Sequence, residues 1–138
     1  MGLCLDASAL VKRYVVEPGS ERVLLKLQEA DDVVFSVLAL PEVISALNRR
    51  RREGRLSDTD YVACKRQLRA DAQNATVVDL SPEIVGRAIS CLERFPLRGS
   101  DAVHVATALE AKPGLFLSGD ERQCTAAKTM GLNVELVG

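Results

Sequence analysis

The chain predicts an α/β fold, a single compact domain whose central parallel sheet is flanked by helices on both faces. Three observations predict it. Short, nearly all-apolar runs alternate with stretches whose apolar residues recur at helical spacing. Two of these runs, Leu3-Cys4-Leu5 and Leu115-Phe116-Leu117, are followed at once or nearly so by an aspartate and a helical pattern, the handover from a buried strand to a helix. No repeat, linker or low-complexity segment divides the 138 residues, so residues 1–138 read as one domain, long enough to bury its own core.

Taken in order, Leu3 to Leu5 is the first strand. Ala7 to about Tyr14 is a short helix with Asp6 as its N-cap, broken by Pro18-Gly19. Ser20 to Glu29 is amphipathic through Val23, Leu24 and Leu27. Val33 to Ser36 is the second strand. Pro41 suits the first turn of the helix that follows, where its missing N–H is not needed, and Val43, Ile44 and Leu47 line one face as far as Gly54. Ser57 caps a helix reaching about Gln73. Thr76 to Leu80 is the third strand. Ser81-Pro82 is a cap followed by proline at the first helical position, opening a helix that carries Ile84, Val85, Ala88, Ile89 and Leu92. Ser100 caps a helix over Asp101 to Ala111, stopped by Pro113-Gly114. Leu115 to Leu117, a helix from Glu121 to Thr129, and a last strand at Val134 to Val137 complete the alternation.

Composition narrows the function. Aromatic residues are 4% of the chain, which leaves little for base-stacking platforms. The net charge is -1, yet from Asn48 to Arg69 eight positive charges face three negative ones. A basic arm on an acidic body suits a polyanion ligand, and a solvated helix face produces the same pattern. Four scattered cysteines without a C-x-x-C pair, and one histidine, argue against zinc and for a reduced, cytoplasmic protein. No signal peptide precedes the first strand, and no apolar run approaches the roughly 18 residues of a membrane span.

Four acids stand at helix starts: Asp6, Glu42, Asp101 and Asp120. Asp6 and Asp120 follow strands closely, at what a parallel sheet makes its carboxyl edge. Any one of them is explained as a cap opposing the helix dipole. Crowded together they would repel unless a cation intervened, and Mg²⁺ and Mn²⁺ prefer such oxygen ligands. Such a pocket suits metal-assisted hydrolysis of a phosphodiester.

The segments Leu5-Asp6-Ala7-Ser8-Ala9-Leu10-Val11-Lys12, Pro41-Glu42-Val43-Ile44-Ser45-Ala46-Leu47, Ser100-Asp101-Ala102-Val103-His104-Val105-Ala106-Thr107-Ala108 and Ser118-Gly119-Asp120-Glu121-Arg122-Gln123 resemble, in order and spacing, those of PIN-domain proteins. They are similar in particular to the VapC-type ribonuclease toxins of bacterial toxin–antitoxin pairs. The resemblance implies a parallel-sheet sandwich and an acidic triad at Asp6, Glu42 and Asp101, with Asp120 as the fourth acid. It implies Mg²⁺ (or Mn²⁺) held chiefly by Asp6 and Asp101, endonuclease cleavage of RNA by activated water, a homodimer, and a small antitoxin that occludes the pocket.

Other residues carry less. Ser8 and Ser118 flank predicted acids and read as turn residues or as partners of a carboxylate. His104 reads as a packed, hydrogen-bonded histidine outside the site. Arg49, Arg50 and Arg52 are the candidates for RNA contact, since guanidinium suits phosphate. Tyr14-Val15-Val16 and the Ser20–Glu29 helix offer apolar surface to an antitoxin helix or to the core. The alternative to an enzyme is a non-catalytic PIN-like module binding RNA or protein. A receiver-like phosphate handler ranks behind both, because Asp6 has no neighbouring acid.

Overall fold

A computed structural model describes residues 1–138. Five strands form one parallel sheet in the order β3-β2-β1-β4-β5: β1 (Gly2–Leu5), β2 (Asp32–Ser36), β3 (Thr76–Val78), β4 (Leu115–Ser118) and β5 (Val134–Leu136). Leu3 stands opposite Val33 on one side and Leu115 on the other, so β1 is central. The helices are α1 (Ala7–Leu10), α2 (Ser20–Glu29), α3 (Ala39–Arg52), α4 (Asp58–Asn74), α5 (Pro82–Arg94), α6 (Gly99–Ala111) and α7 (Glu121–Thr129).

The two-residue period of the strands splits the core into two layers. Leu3, Leu5 and Leu117 point to one face and pack with Leu10, Val23, Phe35, Val43 and Leu47 beneath α1 to α4. Cys4 and Phe116 point to the other and pack with Ile84, Ala88, Val105 and Ala126 beneath α5 to α7. Both faces of the central strands are dry, which is why their sequence is apolar without alternation.

Local signals place most boundaries. The Asp6 carboxylate accepts from Ala9 N–H, Ser57 Oγ from Asp60 N–H and Ser81 Oγ from Ile84 N–H, each capping its helix as expected. The arginine run ends α3, where cations oppose the negative end of the dipole, and Gly54 then turns out at φ 72°.

Several edges differ from expectation. α1 is a single turn that tightens into a 3-10 turn at Val11–Arg13. α3 begins at Ala39, two residues before Pro41, which still falls in the first turn where no backbone donor is missed. α6 begins at Gly99 with Arg98 as its cap residue rather than Ser100, because the Asp101 side chain reaches back to Arg98 N–H. β3 stops at Val78 and β5 at Leu136. No helix is long and apolar enough to cross a membrane.

Candidate functional site

The strand order creates one distinctive crevice. From β1 the chain winds outward to β2 and β3, then crosses back to β4 on the other side of β1. Loops leaving β1 and β4 therefore part at their carboxyl ends, the position where open parallel sheets bind ligands. Asp6 leaves β1 there, and Ser118, Gly119 and Asp120 leave β4.

Asp6 is completely buried. Its carboxylate accepts from Ala9 N–H at 2.9 Å, from the Ser8 hydroxyl at 2.7 Å and from the Ser118 hydroxyl at 2.8 Å. Ser8 in turn accepts from Gly119 N–H, and Ser118 Oγ from Asp120 N–H at 2.9 Å. Both serines thus stitch the β1 and β4 turns together through Asp6. Burial pushes the Asp6 carboxyl above the ordinary carboxylate range, against the opposing pull of His104 and of these donors.

Glu42, on the first turn of α3, meets α6 instead. Its Oε1 lies 2.6 Å from His104 Nε2, and His104 is buried to 2% exposure. With a carboxylate as acceptor, Nε2 carries the hydrogen of this bond, and Nδ1 is buried without a partner. His104 is packed and hydrogen-bonded, as expected, but its partner is one of the site acids. The His104 signal in the sequence was its place one turn after Asp101.

Asp101 is half-buried. One oxygen accepts from Arg98 N–H and the other from the Gln123 side-chain amide at 3.1 Å. That bond orients Gln123, so its buried Oε1 has no donor. Asp120 caps α7 through Arg122 N–H. Asp101 and Asp120 open with Arg98 and Arg122 on one polar hollow of about 260 Å³. Asp6 and Asp120 are therefore linked through Ser118, Asp101 and Asp120 through a common hollow, and Glu42 to α6 through His104.

No three His, Cys, Asp or Glu side chains cluster tightly enough to cage a metal by themselves. The donor chemistry nonetheless fits a hard divalent ion. A carboxylate offers about four lone-pair sites, and the protein donors on Asp6 are three. Gln123 Oε1 beside Asp101 is an unused oxygen donor. Mg²⁺ is commonly held by one or two carboxylates with water completing the octahedron.

The basic arm is less free than its sequence implies. Arg50 is drawn inward to Glu17 at 2.5 Å, so its guanidinium is already paired. Arg51 bonds Asp58 and lies over the Tyr61 ring at 4.4 Å. Arg49 and Arg52 remain exposed. Sequence reading also passed over Asp71, which accepts from Arg13, Tyr14 and Gln67 and ties α4 to the segment after α1. Its charged partner Arg13 and the Tyr14 hydroxyl lie more than fifty residues away, and only Gln67, one helical turn before it, is local.

Comparison with known proteins agrees with the fold. The PIN domain family matches residues 3–129. Ribonuclease VapC46 of Mycobacterium tuberculosis (strain ATCC 25618 / H37Rv) is 35% identical over 132 residues, 94% of this chain and 93% of that protein. Among solved structures, VapC20 of Mycobacterium tuberculosis, a Sarcin-Ricin loop cleaving toxin, superposes with a TM-score of 0.69 at 18% identity, covering 94% and 95% of the two chains. A toxin-antitoxin complex from Klebsiella pneumoniae superposes with a TM-score of 0.65 at 13% identity, covering 88% of each. With one family spanning nearly all its residues and a VapC protein 35% identical over 94% of its length, this chain belongs to the PIN-domain family, in its VapC-type branch.

Proposed function

We propose that the protein is a Mg²⁺- or Mn²⁺-dependent endoribonuclease and the toxin of a toxin–antitoxin pair. The observation that carries this reading is Asp6: a completely buried carboxylate at the β1–β4 crevice, gripped by three donors. Burial makes its ionised form costly, and a cation at the crevice would offset that cost. Its relationship to proteins named ribonucleases supports the choice of RNA.

In this reading Asp6 and Asp101 hold the ion, and Glu42 and Asp120 complete the acidic pocket. A divalent ion supplies Lewis acidity at the phosphoryl group and acidifies a bound water, the nucleophile. Ser8 and Ser118 fix the rotamer of Asp6, Gln123 fixes Asp101, and His104 fixes Glu42. Arg49 and Arg52 reach RNA outside the pocket.

The antitoxin's place is the hollow of about 400 Å³ between α2 and α4, lined by Leu10, Leu24, Leu27, Val33 and Phe35 with Arg13 and Asp71 at its polar side. An amphipathic segment fits such a groove. The homodimer draws on the exposed stripe of α5, where Val85, Ile89 and Leu92 are 40%, 52% and 40% exposed.

Asp6→Asn and Asp101→Asn test the site. Each is expected to keep the wild-type circular dichroism spectrum and to lose cleavage of single-stranded RNA in Mg²⁺. Full activity in either variant contradicts the assignment. The alternative is a non-catalytic PIN-like module that binds RNA or protein. Isothermal titration with Mn²⁺ separates the two, because a module that only binds RNA or protein has no need of an ion at Asp6 and Asp101.

A further inference from the structure

Six exposed arginines make neither an ion pair nor a side-chain hydrogen bond: Arg49, Arg52, Arg66, Arg69, Arg98 and Arg122. The last two share a hollow with the candidate site acids Asp101 and Asp120. No apolar residue lines that hollow. Arg98 and Arg122 stand beside Asp101 and Asp120 without pairing to them, because backbone amides and an uncharged side chain hold these carboxylates instead. Arg98 N–H and Gln123 take Asp101, and Arg122 N–H takes Asp120. Each arginine therefore serves its neighbouring acid through its main chain and leaves its guanidinium free.

We propose that Arg98 and Arg122 form the phosphate-binding clamp that seats the RNA backbone against the acidic pocket. A polyanion approaching four carboxylates meets repulsion unless cations stand close by. Two planar guanidiniums at the mouth of the hollow meet that need with geometry that matches phosphate oxygens two at a time. The arginine run on α3 is a weaker provider. Its inner members, Arg50 and Arg51, are spent on Glu17 and Asp58, and its outer members do not line the hollow of Asp101 and Asp120. The clamp rests on the nuclease reading for its substrate and on the geometry for its residues.

The test measures binding apart from cleavage. A fluorescein-labelled ten-nucleotide single-stranded RNA is titrated with the full-length protein in EDTA, and fluorescence anisotropy gives Kd over a range of salt. Arg98→Ala/Arg122→Ala is expected to raise Kd at least tenfold at low salt. It is expected to reduce the slope of log K against log salt by about 1.4, the contribution of two phosphates on a single strand. Arg98→Lys/Arg122→Lys should keep most of the slope and lose part of the affinity, since charge remains without the fork. Both side chains are exposed, so thermal melts should coincide with wild type. Cleavage by wild type in Mg²⁺ is scored separately. Weakened binding in the alanine variant with a wild type that cuts nothing leaves the clamp standing and removes the nuclease. Unchanged Kd and slope, a larger loss from Arg49→Ala/Arg52→Ala, or no RNA binding by wild type overturns the clamp.

Discussion

Replacing Glu17 by alanine should cost this fold about 2–3 kcal/mol, because the side chain is the only anion between two shielded cations. Glu17 Oε1 lies 2.9 Å from Lys12 Nζ, and Oε2 lies 2.5 Å from Arg50 Nη2. The three side chains are 23%, 10% and 16% exposed, in the order Glu17, Lys12, Arg50. Lys12 also donates to the Pro18 carbonyl at 2.8 Å, so it cannot swing out to water without breaking a second bond. Breaking a buried pair by removing one partner costs about 3–5 kcal/mol; the residual exposure of Glu17 moves the figure toward or below the lower limit. In a chain of this size that corresponds to roughly 6–12 °C in Tm. Urea unfolding followed at 222 nm measures it directly, and a double-mutant cycle with Arg50→Ala isolates the pair.

The pH dependence adds a sign. Burial pushes the Glu17 carboxyl up, but the bonds and charges of Lys12 and Arg50 outweigh it, and the net position is below the ordinary range. A group depressed in the folded state contributes its stability above the unfolded value, about 4.3 for Glu, and loses it as pH falls through the folded value. The gap between wild type and Glu17→Ala should therefore be constant from pH 7 to about 5 and close below about 4. A difference under 0.5 kcal/mol at pH 7, or a gap that widens on acidification, refutes the reasoning.

Two further substitutions probe the site's supports. Ser118→Ala removes a donor to buried Asp6 and an acceptor for Asp120 N–H, at a cost of about 2 kcal/mol in urea unfolding. It should slow RNA cleavage more than it lowers RNA affinity, and wild-type kcat would count against a positioning role. His104→Leu leaves Glu42 without its partner and is expected to lower kcat about tenfold, one charge-assisted hydrogen bond's worth. His104→Gln, which restores a donor, should recover part of that loss; equal activity in the two variants would mean the contact does not matter.

The linear chain carried most of the local chemistry, the cap of α6 at Arg98 excepted. Caps at Asp6, Ser57 and Ser81, the apolar strands and the order of α and β elements all depend on residues within a few positions of one another. Near neighbours meet whatever the rest of the fold does, so these features are readable from spacing alone. The PIN family membership was legible for the same reason, since its motifs are short segments in a set order.

What the folded chain alone decided are the long-range pairings. The order β3-β2-β1-β4-β5 sets Ser118 against Asp6 across 112 positions. The fold also brings Glu42 of α3, from one face of the sheet, to His104 of α6, from the other, 62 positions away. The arginine run showed charge, and only tertiary contacts sorted Arg50 onto Glu17 while leaving Arg98 and Arg122 open beside two acids. Charge and hydrogen-bonding capacity are properties of a residue type. Which partner satisfies them depends on what burial brings within about 3 Å, and that is a property of the whole fold.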